Sequence, residues 1–332
     1  AKVPDPTPQG VPDRDPLPID KTLPIVFVHG FAGSAQQFHS QAMRYVANGY
    51  PEDRLRAYEH DGAGMASAEF VTGLDAVIEE VRGTFQSEKV FLIGHSRGTE
   101  VSLMYLNDAG RAAKVEKYIS LDGAGCANIT VPCVAPAQTT NTRPGQTDPI
   151  PGQKHVEVAT SKESFAIQFG FLFGREPEVV DIVAQRAPVQ ISGRAVNFPA
   201  NTGREGTELQ FWELDSRTGM RVSTTPVATF AIGADGKFGP VTVDPTKHYE
   251  QVLLSTETPN QHHFYSQPFL RSSEFYRLLS GPSDSPSRSN TNSGPNHAAV
   301  VPMRMQEWTI DDTLLVSTKS ASGDQPEADA IT

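Results

Sequence analysis

No apolar stretch in the 332-residue chain approaches ~20 residues, so nothing in it reads as a transmembrane helix. A basic surplus is also missing: 28 lysines and arginines stand against 39 aspartates and glutamates, for a formal net charge of -11. That removes the phosphate-neutralising surface a nucleic-acid partner would require. Charged residues are only 20% of the chain and hydrophobic ones 38%, too little charge for a disordered polymer and enough apolar side chain for a real core. Cysteine is scarce, with Cys126 and Cys133 alone. The neighbouring histidines His262 and His263 have no cysteine or acid at ligand spacing, so no metal is expected, and no cofactor is implied. Glycine and proline are plentiful, at 27 and 26, about a sixth of the chain, which favours turns and loops.

The two cysteines are expected to form a disulfide closing a small loop, the plainer alternative being two buried thiols. Asn128-Ile129-Thr130 inside that loop fits the glycosylation acceptor pattern. The chain begins at Ala1 without a basic-then-apolar leader. With the cysteine pair, this sets an expectation of a secreted, extracellular protein. Residues 1–20, rich in proline and aspartate, read as an extended arm.

Ile25-Val26-Phe27-Val28, Val90-Phe91-Leu92-Ile93 and Tyr118-Ile119-Ser120-Leu121 are short apolar runs of the kind buried on both faces of a parallel sheet. Leu55 to Tyr58 is a further strand. Gln36 to Asn48, Glu69 to Phe85, Val101 to Leu106 and Ser161 to Phe173 carry helical spacing. The alternation predicts an α/β domain over residues 1–187. Between Gly123 and Gly152 the pattern dissolves into Pro, Thr, Asn and Gln, which reads as one long loop or cover. After Pro188, short strand-like runs separated by turns predict a smaller all-β sandwich over 188–332. Within it, 281–296 resembles a linker, Val300 to Trp308 and Thr313 to Ser317 are candidate strands, and the last residues form a frayed tail.

Gly94-His95-Ser96-Arg97-Gly98 falls between a strand and a helix. Glycines at both ends permit a sharp elbow, which lifts the Ser96 hydroxyl above the sheet edge at the start of a helix. Ser96 is therefore the candidate nucleophile. His29-Gly30-Phe31 follows the first strand. An acyl-transfer site needs two N–H donors at the developing oxyanion, and Phe31 and Arg97 are the candidates. The Phe31 side chain, with His29, is expected to contact substrate. A serine hydroxyl needs a base oriented by a carboxylate, in the chain order Ser, acid, His. Asp122 directly follows a strand, whereas Asp108, Asp148 and Asp181 do not. Of the later histidines, His248, His262, His263 and His297 fall within or beyond the β region, which leaves His155. A turn aspartate and a surface histidine are the plainer alternatives. His95 is expected to be structural. A histidine base predicts activity falling below about pH 6, where an ordinary imidazole is protonated.

These segments resemble the α/β-hydrolase superfamily and, within it, bacterial and archaeal lipases with an N-terminal hydrolase domain and a C-terminal β-domain. The likeness rests on residues 29–38, 94–99, 119–123 and 155–165 with 181–183, and continues weakly from Val189 to Leu279. It implies a doubly wound, mostly parallel sheet and a lipase or carboxylesterase acting through Ser96, Asp122 and His155. It implies an ester substrate, small-molecule, lipid or polymeric, and a β-domain that receives an acyl chain or touches a lipid surface. Lactone or polyester hydrolysis with the same three residues is the alternative, as is a secreted carbohydrate- or lipid-binding protein with an inactive hydrolase domain. Two departures stand out. Only one helix fits between Tyr58 and Val90, where such lipases carry a lid. Arg97 replaces the usual Met or Gln, which sets an expectation of a cation beside the site and of bulky, polymeric or partly anionic esters.

Overall fold

The computed structural model describes residues 22–139, 143–185, 188–256 and 261–281, together with the backbone of two paired strands, Leu314–Thr318 and Glu327–Ile331. The arm at 1–20, most of the linker at 281–296 and the strand expected at 300–308 lie outside these residues.

The first half alternates strands and helices. Strand β1 (Ile25–Val28) leads through a 3-10 turn (Ala35–Phe38) into α1 (His39–Ala47). Strand β2 (Leu55–Tyr58), α2 (Ala68–Phe85), β3 (Val90–His95), α3 (Arg97–Leu106), α4 (Ala109–Ala112) and β4 (Val115–Leu121) follow. The sheet order is β2-β1-β3-β4, all parallel. Because successive strand residues face opposite ways, the sheet is covered on both sides. Ile25 and Phe27 join Phe38, Tyr45, Phe165 and Phe169 on one face, while Val26 and Val28 join Leu74, Ile78, Val101 and Tyr105 on the other. The first face closes with α5 (Glu157–Thr160) and α6 (Lys162–Phe173), whose Phe165 ring stands edge-on to Tyr45 at 5.0 Å.

The stretch from Gly123 to Gly152, expected to be one long loop, is more ordered than that. It builds three short strands, β5 (Cys133–Val134), β6 (Pro136–Gln138) and β7 (Asp148–Ile150). β5 extends the parallel sheet beyond β4, and β6 pairs with β7. Two or three residues are too few to show a period of two, and proline inside β6 and β7 masks the rest. The disulfide between Cys126 and Cys133 forms as expected, spanning a sequence separation of 7, and fastens this segment at its start. Asn128, in its loop, is exposed and in the left-handed region (φ 62).

Among the described residues, the regular elements of the second half are strands: β8 (Val189–Asn197), β9 (Thr202–Gly203), β10 (Thr207–Leu214), β11 (Ala228–Ile232), β12 (Lys237–Val243), β13 (His248–Ser255), β14 (Gln261–Ser266) and β15 (Ser273–Ser280). One sheet is antiparallel, in the order β11-β10-β13-β14. The other runs β12-β8-β15, with β8 and β15 parallel. Val189, Ile191, Leu209, Phe211, Val241, Leu253 and Leu278 fill the space between them, as in a sandwich.

The two halves share core. Phe275 of β15 packs edge-on to Phe27 of β1 at 5.8 Å and is 4% exposed. Nearby, the Glu274 N–H donates to Glu52 Oε1 at 3.0 Å. Burial, then the neighbouring Glu274 charge, push the Glu52 carboxyl up to about 7. An acid whose native pKa is raised stabilises fully below its unfolded value of roughly 4.3, and that stability is lost as pH rises through the native one. Glu52→Gln keeps the acceptor oxygen and removes the charge. It is expected to raise Tm at pH 8 and leave it nearly unchanged at pH 4, which thermal melts at the two pH values will read.

Candidate active site

The site lies at the C-terminal edge of the parallel sheet, where β3 and β4 end. Ser96 follows β3 at φ 54 and ψ -125, a strained conformation that raises its side chain on a sharp turn before α3. The turn is possible because its flanking glycines have no room for a side chain. A Cβ on Gly98 would sit 2.1 Å from the Val28 carbonyl oxygen, and one on Gly94 2.9 Å from the Gly98 carbonyl. Thr99 braces the far side: its hydroxyl donates to the Ser96 carbonyl at 2.6 Å and accepts the Ala124 N–H at 2.7 Å.

Asp122 immediately follows β4, also in the left-handed region (φ 43), with its N–H on the Pro136 carbonyl at 2.8 Å. His155 precedes α5. The Ser96 hydroxyl lies 2.8 Å from His155 Nε2, and His155 Nδ1 lies 2.6 Å from Asp122 Oδ2. Three side chains from distant parts of the chain thus form one hydrogen-bonded row. Burial alone would raise the Asp122 carboxyl, but the bonds from His155 and from the Gln138 N–H outweigh it and hold it below the ordinary carboxylate value. An ionised carboxylate only accepts, so it fixes the Nδ1–H tautomer and leaves Nε2 to receive the serine proton.

Gln138, in a stretch with no periodicity to mark it, completes the surroundings of Asp122. Its N–H reaches Oδ1 at 3.0 Å and its amide nitrogen reaches Oδ2 at 2.8 Å. Asp122, Gln138, Arg143 and His155 line a cavity of about 260 Å³ beside the row. Because Gln138 ends β6, five residues beyond Cys133, the disulfide holds the strand that delivers it. Cys126→Ser/Cys133→Ser is expected to lose about 2–3 kcal/mol of stability, the loop-closure value for so short a ring, measured by urea unfolding.

His95 is buried, as expected of a structural residue. Its Nε2–H donates to the His155 carbonyl at 3.0 Å, and burial, then the neighbouring His155, push its pKa down to about 3. The ring stays neutral and fixes the backbone of the residue beside it.

Residues 29–35 run past Ser96 closely enough that a Cβ on Gly30 would fall 2.8 Å from Ser96 Cβ. Phe31 therefore sits on the loop facing the serine, 62% exposed, and Arg97 opens α3 directly after it. His29 corrects the expectation of a substrate-contacting ring. It is 0% exposed, stacked on His60 at 3.8 Å between centroids, with Nδ1–H on the Gly30 carbonyl at 3.0 Å. A covered ring offers substrate no surface and instead shapes the loop.

Arg97 is likewise not a cation presented to substrate. Its guanidinium donates to the carbonyls of Gly62 (3.1 Å), Asp61 (2.8 Å) and Gly64, and to His60 Nδ1 (3.1 Å), between the rings of Phe31 and Phe70. The buried guanidinium faces the backbone of residues 61–64, so it offers an anionic ester no direct contact. In the β half, the His263 ring meets Glu250 at 2.7 Å and His262 lies near Arg204. Among the described residues no group of three or more His, Cys, Asp and Glu gathers as a metal site.

Two family models match the chain. The family model described as the alpha/beta hydrolase fold matches residues 24–225, and the one described as the lipase C-terminal domain matches residues 187–282. No curated protein matches the chain. Among solved structures it is similar to Bacillus licheniformis lipase BlEst2 in propeptide form, at 11% identity and TM-score 0.40, covering 77% of this chain and 95% of that one. It is also similar to an extracellular alpha/beta-hydrolase from a Paenibacillus species, at 18% identity and TM-score 0.24, covering 31% and 42%. A third is the carboxylesterase structure from Nitrososphaera gargenis, at 21% identity and TM-score 0.25, covering 31% and 38%. With more than half of its length matched by the fold's family model, the chain belongs to the alpha/beta hydrolases and carries a lipase-like C-terminal region.

Proposed function

We propose that the protein hydrolyses carboxylic esters through an acyl-enzyme on Ser96. The observation that carries this reading is the row Ser96 Oγ, His155 Nε2 at 2.8 Å, and His155 Nδ1, Asp122 Oδ2 at 2.6 Å. His155 takes the hydroxyl proton as Ser96 attacks the ester carbonyl, and Asp122 stabilises the imidazolium that forms. The N–H groups of Phe31 and Arg97 receive the oxyanion. His155 then gives its proton to the leaving alcohol. Water attacks the acyl-enzyme with His155 again as base, which returns the serine and releases the acid.

The lipase-like C-terminal match supports an ester as the bond cleaved. Residues 59–89, between β2 and β3, hold α2 as their one regular element, which leaves little chain for a lid. The exposed Phe31, at 62%, supports an acyl chain laid along an open surface. The disulfide supports a location in an oxidising, extracellular compartment. Hydrolysis of p-nitrophenyl esters from acetate to palmitate tests the reading. Saturable release from short and medium chains, with no jump above the micellar threshold, is the expected result. No hydrolysis of any member would overturn the ester assignment, and a strong preference for micellar long chains would overturn the open site.

A further inference from the structure

The loop carrying Phe31 is bonded to the second half of the chain at both ends, and one side chain there has a geometry suited to more than holding two domains together. Asn201 lies in the turn between β8 and β9, 4% exposed, with φ 57, a conformation asparagine tolerates. Its Nδ2 donates to the carbonyls of Gly33 and His60, each at 2.9 Å, and lies 3.4 Å from His29 Nε2. Carbonyl oxygens only accept, so the amide nitrogen must face them.

The first of those carbonyls lies on the same loop as Phe31. Gly33 is two residues beyond it. His60 begins the neighbouring loop, whose Gly62 carbonyl accepts the Ala32 N–H at 2.8 Å, and whose Gly62 N–H donates to Pro199 of the β8–β9 turn at 2.7 Å. Ala32 and Gly33 are thus both fixed through residues 199–201. Further along the same loop, the Ala35 N–H donates to Glu59 Oε2 at 3.1 Å, and Glu59 Oε1 accepts Arg277 Nε of β15 at 2.6 Å. On the inner side, Gly30 lies against Ser96 with no space for even a methyl group. Any drift of the loop changes where its N–H groups stand relative to the serine.

We infer that Asn201 is a positioning residue for the oxyanion-binding loop. The β half thereby completes the acyl-transfer site by holding the Phe31 N–H in place, in addition to any contact it makes with lipid. This inference rests on the ester-hydrolase reading above.

Two variants test it without straining the backbone, since glycine and aspartate both accept a positive φ. Asn201→Gly removes the donors, and Asn201→Asp sets an acceptor against two acceptors. On p-nitrophenyl butyrate, kcat is expected to fall about 10-fold in Asn201→Gly and about 100-fold in Asn201→Asp, the scale of a misplaced reacting group. KM is expected to stay within about twofold, because the lost interaction belongs to the transition state. Inhibition by phenylboronic acid, whose tetrahedral serine adduct uses the same donors, is expected to weaken by the same factors. A residue that merely joins the halves would lower Tm and leave kcat and boronate affinity at wild-type values, and that result would overturn the inference. Should Asn201→Asp fail to fold, Asn201→Gly decides the matter alone. An unmodified protein that hydrolyses no ester would instead overturn the reading beneath it.

Discussion

Ser96→Ala, His155→Ala and the double variant are expected to lower kcat on a p-nitrophenyl ester by the same factor, about a million-fold. The reason is geometric. At 2.8 Å the hydroxyl and imidazole act as one unit: without the base the serine is a poor nucleophile, and without the nucleophile the base has no proton to take. The three losses therefore do not add. What survives comes from the oxyanion donors and substrate binding, which neither substitution touches directly. Steady-state kinetics on the three purified variants check this. Two single losses that multiply in the double variant would show that residues 96 and 155 act independently.

Asp122→Asn is expected to cost about 10⁴-fold in kcat with the fold intact. An amide in place of the carboxylate can present its NH2 to His155 Nδ1, which moves the ring proton to Nε2, where it faces the serine hydroxyl instead of accepting from it. Gln138 sharpens the expectation. Its two donors reach Oδ1 and Oδ2 at 3.0 and 2.8 Å, so an asparagine must set its own NH2 against at least one donor as it seeks His155. Gln138→Ala, by contrast, leaves the carboxylate its bond from His155 and is expected to have the smaller effect. The native carboxyl is held below its ordinary value, so the stability it contributes is present above an unfolded pKa of roughly 3.9 and is lost as pH falls through the native one. Urea midpoints of Asp122→Asn and the unmodified protein should accordingly draw together as pH falls below the unfolded value of roughly 3.9.

The parts of the architecture that depend on long apolar runs were legible in the sequence. β1, β3 and β4 are buried on both faces and so read as unbroken hydrophobic segments, and the glycines around Ser96 mark the turn between β3 and α3. Asp122 was legible because it directly follows a strand, and His155 because chain order and the β region left it alone. The supports of the site were not legible. Gln138 stands in a stretch of Pro, Thr and Gln with no periodicity, and its strand is three residues long. β14 leaves little strand signal because Gln-His-His-Phe-Tyr-Ser is polar and half exposed.

Asn201 and the residues it bonds are 141 to 172 positions apart, a relation no local pattern encodes. His29 and Arg97 illustrate the converse error. Residue type suggested contact with substrate, whereas burial and backbone carbonyls occupy both side chains. Sequence patterns report burial and turns well. They report poorly which polar atom meets which, because that depends on elements brought together only by the completed fold.

On the proposed mechanism, the imidazole of His155 activates the hydroxyl of Ser96. Its most direct test is labelling with a fluorophosphonate probe, followed by peptide mass mapping of the adduct. A single stoichiometric adduct on Ser96 is expected in the unmodified protein and almost none, over the same minutes, in His155→Ala. An adduct on another serine, or undiminished labelling of Ser96 without His155, would contradict it.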